Sequence, residues 1–210
     1  MRASAVLLCA SLLPVTPALS QERNNEVGLL LGAIKTPDTT ARLTAPATAP
    51  VRIGTGLSLQ ATYARKLTSS PRAAVYLEVP FVATPSTDVS SPFTAAPRNY
   101  ASLFITPGVR VAFAPNSGIS PWLAVGGGYA RFDESSTRID GAPNASPRGA
   151  NSGAAQFGGG VDFKTPVKIL FPIGLRAEVR DFYSNQPNFG APTDDRQHNV
   201  VFSGGIVLKF

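Results

Sequence analysis

The sequence predicts an all-β fold: a closed, eight-stranded, antiparallel up-and-down barrel that crosses a membrane through its strands. Three observations predict it. First, apolar residues recur at every second position through long segments, which is the period of a strand and not of a helix. Second, the 210-residue chain carries 19 Pro and 19 Gly, too many breakers for a helical protein. Beyond the first 20 residues no segment approaches the run of about 18 apolar residues that a spanning helix needs. Third, the connections alternate between short and long. A membrane chain without a spanning helix must satisfy its backbone by closing a sheet on itself.

The N-terminus, MRASAVLLCASLLPVTPALS, has one positive residue, an apolar run from Ala3 to Leu13, and small Ala18 and Ser20 before Gln21. Those are the parts of a secretory signal peptide, and the run is too short to span a bilayer. We therefore divide the chain into a leader, 1–20, and one barrel domain, 21–210. Cys9 lies in the leader, so the mature chain is expected to have no disulfide and no cysteine metal site. The formal charge is +6 over the whole chain. Its basic residues are scattered, and no Lys/Arg run points to nucleic acid.

Eight alternating segments follow in order. Glu26–Lys35 shows Val27, Leu29, Leu31 and Ala33 on one face, and Arg52–Arg65 shows Ile53, Leu57, Leu59, Ala61 and Tyr63. Arg72–Ala83 shows Ala73, Val75, Leu77, Val79 and Phe81; Tyr100–Ala114 shows Ala101, Leu103, Ile105, Val109, Val111 and Phe113. In Pro121–Phe132, Leu123, Val125 and Tyr129 oppose Trp122 and Phe132, which leaves its facing open. Ala154–Lys164 shows Phe157, Val161 and Phe163, and Phe171–Phe182 shows Ile173, Leu175, Ala177 and Val179. The last, His198–Phe210, shows Val200, Phe202, Gly204, Ile206, Leu208 and Phe210. Lengths of about ten residues or more suit tilted spanning strands. Pro80 and Pro107 interrupt the third and fourth segments, where a missing N–H predicts a local bulge or a shifted boundary.

Three connections are short, Lys66–Pro71, Pro115–Ser120 and Thr165–Leu170. Four are long, Thr36–Val51, Thr84–Asn99, Asp133–Gly153 and Tyr183–Gln197. Short turns on one side and long loops on the other are the pattern of barrels with periplasmic turns and extracellular loops.

The charges sit on the opposite faces. Glu26, Glu78, Arg110, Asp162, Arg176, Glu178 and Arg180 are all out of phase with the apolar sets. A lipid-facing Arg or Lys at the bilayer midplane costs about 2–4 kcal/mol, so these groups are expected to point inward. Buried charges persist only when paired. Glu78, Asp162 and Glu178 are therefore expected to meet Arg110, Arg176 and Arg180 as a plug of ion pairs inside the barrel. Eight strands enclose room for side chains and little else.

The terminal stretch HNVVFSGGIVLKF resembles the last strand of bacterial outer-membrane β-barrels. PWLAVGGGYARF and LRAEVRDFYSNQPNF resemble a middle strand and a penultimate strand of the same group, the OmpA-like and OmpX-like eight-stranded barrels of the porin-like superfamily. The resemblance implies an outer-membrane location and an insertion signal made by Phe202, Ile206, Leu208 and Phe210. It implies outer-membrane lipids, including lipopolysaccharide, and the barrel assembly machinery as partners, and a monomer. The peptidoglycan-binding domain that some OmpA-like proteins append is not expected, since the chain stops at Phe210. The family shares a scaffold more than a chemistry.

Gly126–Gly128 and Gly158–Gly160 do not form a phosphate loop, because neither has the G-x-G-x-x-G spacing nor precedes a helix; they are read as space for large neighbours. His198, the sole histidine, has Asp194 and Asp195 nearby but no serine motif, and is read as a rim residue. One histidine without cysteine predicts no metal site, and no cofactor or enzymatic activity is expected. Arg42, Arg98, Arg138, Arg148 and Arg196 fall in the long loops, where Arg pairs with phosphates or stays solvated. The expected role is structural or surface-interacting, with four long loops displayed on the plugged barrel. The alternatives are a narrow gated pore for small ions, a lipid-modifying barrel enzyme, and a soluble lipocalin-like carrier.

Overall fold

The structure is a computed structural model and describes residues 23–43, 48–145, 148–168, 171–187, 189 and 196–210. The leader, Asp194 and Asp195 lie outside the described residues. Eleven strands form: β1 (Asn25–Lys35), β2 (Thr39–Arg42), β3 (Thr48–Ile53), β4 (Thr55–Ser69), β5 (Ala73–Ser90), β6 (Asn99–Ile105), β7 (Gly108–Phe113), β8 (Ile119–Glu134), β9 (Gly149–Lys168), β10 (Pro172–Ser184) and β11 (Gln197–Lys209).

Eight positions make the ring. β1 pairs with β4, β4 with β5, β5 with β6 and then β7, and both of these with β8. β8 then pairs with β9, β9 with β10, β10 with β11, and β11 returns to β1. Every pairing is antiparallel and the first and last strands meet, so no edge is left open inside a bilayer. The start of β1 and the end of β11 lie together at the short-turn end, where Asn25 and Phe210 exchange backbone hydrogen bonds of 3.0 and 2.9 Å.

The eight segments hold, with four corrections. The second segment does not begin at Arg52. Ile53 ends β3, only 2% exposed in the barrel mouth, because Gly54 breaks the chain before β4. The first long loop is also not bare: β2 and β3 form a hairpin that joins the top of β5 through Ile53 and Val89. β5 and β9 run past their predicted ends, to Ser90 and from Gly149 to Lys168. Of the two outcomes expected at the prolines, no bulge forms, but at Pro107 the boundary does shift, the fourth segment dividing into β6 and β7. Ile105 pairs with Tyr129 and Gly108 with Gly126, so β6 and β7 keep one register across the break at Thr106–Pro107. The register shifts instead lie at Lys66/Thr68, Thr84/Thr87 and Pro172/Gly174.

The outer wall is apolar. Leu29, Leu31, Leu57, Leu77, Val109, Leu123, Val125, Leu175 and Ile206 are all exposed, Leu31 at 62%. Aqueous monomers do not show such a continuous belt, whereas hydrocarbon requires one. The facing of β8 follows: Leu123 and Val125 point out, and Trp122 and Phe132 point in at 2% and 1% exposure.

Candidate functional site

Alternation sends every second side chain of each strand into the lumen, and the registers decide which of them share a level. Across four strands Arg180 lies level with Gly158, Ala124, Arg110 and Tyr76. The next level runs Glu178, Gly160, Trp122, Ala112 and Ala74. Each level mixes large residues with Gly or Ala, so that a large side chain on one strand has room over a small one on another, as a narrow barrel needs in order to fill without overcrowding. The glycines carry this literally. A Cβ on Gly160 would lie 2.6 Å from the Trp122 ring and 2.5 Å from the Ala177 carbonyl oxygen. One on Gly158 would lie 2.9 Å from Arg180 Cγ.

The six residues expected to pair come together in the half of the lumen nearer the short turns. Arg176 donates to Asp162 through Nε (2.7 Å) and Nη2 (2.8 Å), and to Glu26 at 2.9 Å. Arg180 bridges Glu178 (2.7 Å) and Glu78 (2.6 Å). Arg110 donates to Glu78 at 3.0 Å and to Glu26, and its Nη1 lies 3.6 Å from Asp162. Gln60 donates to Glu178 at 2.5 Å and Trp122 Nε1 to Asp162 at 3.1 Å.

Two further members join them: Glu26, expected to point inward but given no partner by the sequence, and Lys209, which the sequence did not single out. Glu26 belongs to two of the arginines, and its out-of-phase position in β1 was the available signal. Lys209 approaches Glu26 at 3.9 Å. Four carboxylates, Glu26, Glu78, Asp162 and Glu178, face three guanidinium groups, so Lys209 is the cation that closes the balance. Trp122 sits in the middle, its ring 5.0–5.6 Å from all three guanidinium carbons, and Arg110 lies 4.2 Å from the centre of the Tyr76 ring. The negative ring faces add to the field holding the arginines.

The half nearer the long loops is filled differently. Phe104 stacks on Phe182 at 4.8 Å and meets Phe132 edge-on at 5.7 Å. Tyr100 contacts Phe132 and Phe189. Ile34, Val82 and Val201 from the barrel, and Val51 and Ile53 from the hairpin, close around these rings. Glu134 ties two loops across the mouth by accepting from Phe189 N–H and Asn144 Nδ2, each at 3.2 Å. The signal for this layer was phase: Phe182 is in step with Arg180, and Phe132 with Trp122.

His198 lies on the outer wall near the loops, 52% exposed at its side chain, with Nδ1 2.6 Å from Asp181 Oδ2. Tyr183 packs on its ring at 4.9 Å. Of the terminal residues, Phe202, Ile206 and Phe210 are exposed on the wall and Leu208 is half-buried between them.

No protein-family model matches the chain, and no curated protein matches it in sequence. Among solved structures, Neisserial surface protein A is similar at a TM-score of 0.53 and 14% identity, over 89% of this chain and 97% of that one. The outer membrane protein OprG from Pseudomonas aeruginosa gives 0.48 and 15%, over 89% and 96%. The outer membrane protein AlkL gives 0.47 and 15%, over 95% and 97%. The first of these carries the likeness in fold. A closed ring with a hydrocarbon-compatible wall and turns gathered at one end suits a bilayer: the chain is an eight-stranded outer-membrane β-barrel in fold, the fold it shares with Neisserial surface protein A.

Proposed function

We propose that the protein is a closed, non-enzymatic barrel whose work is done by its loops at the cell surface. What supports this reading is the content of the lumen, buried ion pairs toward the turns and a buried aromatic cluster toward the loops, which we read as two stoppers of opposite chemistry. A lattice of ion pairs blocks ions by electrostatics and packing, and an aromatic cluster excludes water. A rigid frame carrying long loops is where recognition usually resides. Lipopolysaccharide and other outer-membrane lipids surround the wall, the terminal strand with Phe202, Ile206, Leu208 and Phe210 is the segment offered to the assembly machinery, and the barrel acts as a monomer.

The test is conductance. Purified protein in a planar bilayer is expected to give flat traces at all voltages; discrete openings would favour the gated pore. One observation favours a lipid-modifying enzyme, the His198–Asp181 pair on the outer wall. Its described outward neighbours, Tyr183, Val200, Ala155 and Lys35, supply no serine or cysteine nucleophile. His198→Ala is accordingly expected to leave envelope lipids unaltered, and a changed lipid profile would reverse the assignment.

A further inference from the structure

We propose that the short-turn end holds a second site, a pocket for the phosphate of an anionic phospholipid of the inner leaflet. The pocket encloses about 450 Å³ between the ends of β9, β10 and β11. Its lining has two characters. Arg23, Lys164 and Lys209 supply three cations, and Phe163, Ile173 and Leu175 continue the apolar wall into it. A lipid has the same two parts, a charged headgroup and hydrocarbon chains, in the same order along the membrane normal.

Two of the cations are available: among the described residues Arg23 and Lys164 form no ion pair, whereas Lys209 is shared with Glu26 of the buried cluster at 3.9 Å. Asp162, the acid in the lining, is already held by Arg176 and Trp122. Near the long loops, by contrast, Arg131 is engaged by Asp133 at 2.7 and 2.8 Å. The pocket also sits where the β9–β10 ladder slips between Pro172 and Gly174. Phe171 and Phe210, rings 5.7 Å apart, mark the same edge as a membrane interface. A zwitterionic headgroup brings its own ammonium into this cationic surround, so a phosphate with no neighbouring positive charge is preferred. Free inorganic phosphate shares that chemistry, and the experiment separates the two.

The site is independent of what the loops recognise and rests on the membrane-barrel reading. The full chain is folded into bilayer nanodiscs of phosphatidylcholine with phosphatidylglycerol, extracted into detergent, and its retained lipids are counted by native mass spectrometry. Phosphatidylglycerol is expected to be retained over phosphatidylcholine, and Arg23→Ala and Lys164→Ala each to lower that preference about fivefold. Lys164→Arg is expected to keep it, and Arg131→Ala to leave it unchanged. Equal retention of the two lipids, or a preference indifferent to both alanine variants, overturns the site. A preference abolished by millimolar inorganic phosphate assigns the pocket to a free anion and overturns the lipid. Failure of the chain to insert, seen as loss of heat-modifiable gel migration, sinks the barrel reading itself and is distinct from insertion without lipid preference.

Discussion

At the residue scale the protein is a problem in pairing charge inside a narrow tube. Arg110 is fully buried and answers Glu26 and Glu78 together. Removing one partner of a buried ion pair leaves an uncompensated charge and costs about 3–5 kcal/mol. Arg110→Met is therefore expected to lower the unfolding free energy, read from urea titration of the barrel in vesicles, by that much, while Arg131→Met on the exposed rim changes it by nothing measurable. Gly160 tests the opposite limit. Gly160→Ala would force a Cβ against both the Trp122 ring and the Ala177 carbonyl, an overpacking cost of about 1–3 kcal/mol. Because the carbonyl cannot move aside, adding Trp122→Ala is not expected to restore the lost stability, and full recovery of the midpoint would show that ring crowding alone was responsible.

At the element scale each strand is a two-solvent device. Alternation puts Leu29 in hydrocarbon and its neighbours Gly28 and Leu30 in the lumen half. Leu29→Arg is expected to cost about 2–4 kcal/mol, read by the same denaturation and by slower insertion into vesicles. β6 and β7 show how much irregularity such a strand tolerates. Pro107 interrupts the ladder, yet its carbonyl still accepts from Gly127 N–H at 3.0 Å. Register on both sides is thereby retained. A proline predicts a missing donor, but not whether neighbouring strands absorb the loss without slipping.

At the scale of the whole molecule the ion-pair lattice lies toward the turns and the aromatic cluster toward the loops. If each seals the lumen, as proposed, opening either one leaves the other shut. Phe104→Ala with Phe132→Ala is expected to leave bilayer traces flat, and so is Arg180→Ala alone. Combining the three is expected to produce conductance. A pore appearing with the aromatic changes alone would mean that the charged half does not seal.

The strand ring, its facing and the inward charges were legible because a two-residue period converts sequence phase directly into inside and outside. Glu78, Arg110, Asp162, Arg176, Glu178 and Arg180 could be collected by phase alone. Their partners could not, because pairing depends on register and barrel stagger, which bring Glu26 of β1 beside Arg176 of β10, 150 positions away. The β2–β3 hairpin was missed for a related reason: its strands are short, and they gain stability from docking onto β5 and the mouth cluster rather than from their own pattern. By itself, then, the sequence determined which side chains meet lipid and which meet the lumen in seven of the eight segments, Ile53 apart, since that follows from local alternation; in Pro121–Phe132, where apolar residues fall on both faces, the structure decided. Only the tertiary structure decided which carboxylate meets which guanidinium, and that the outer half is closed by rings, since those contacts are set by how eight strands align around a common axis.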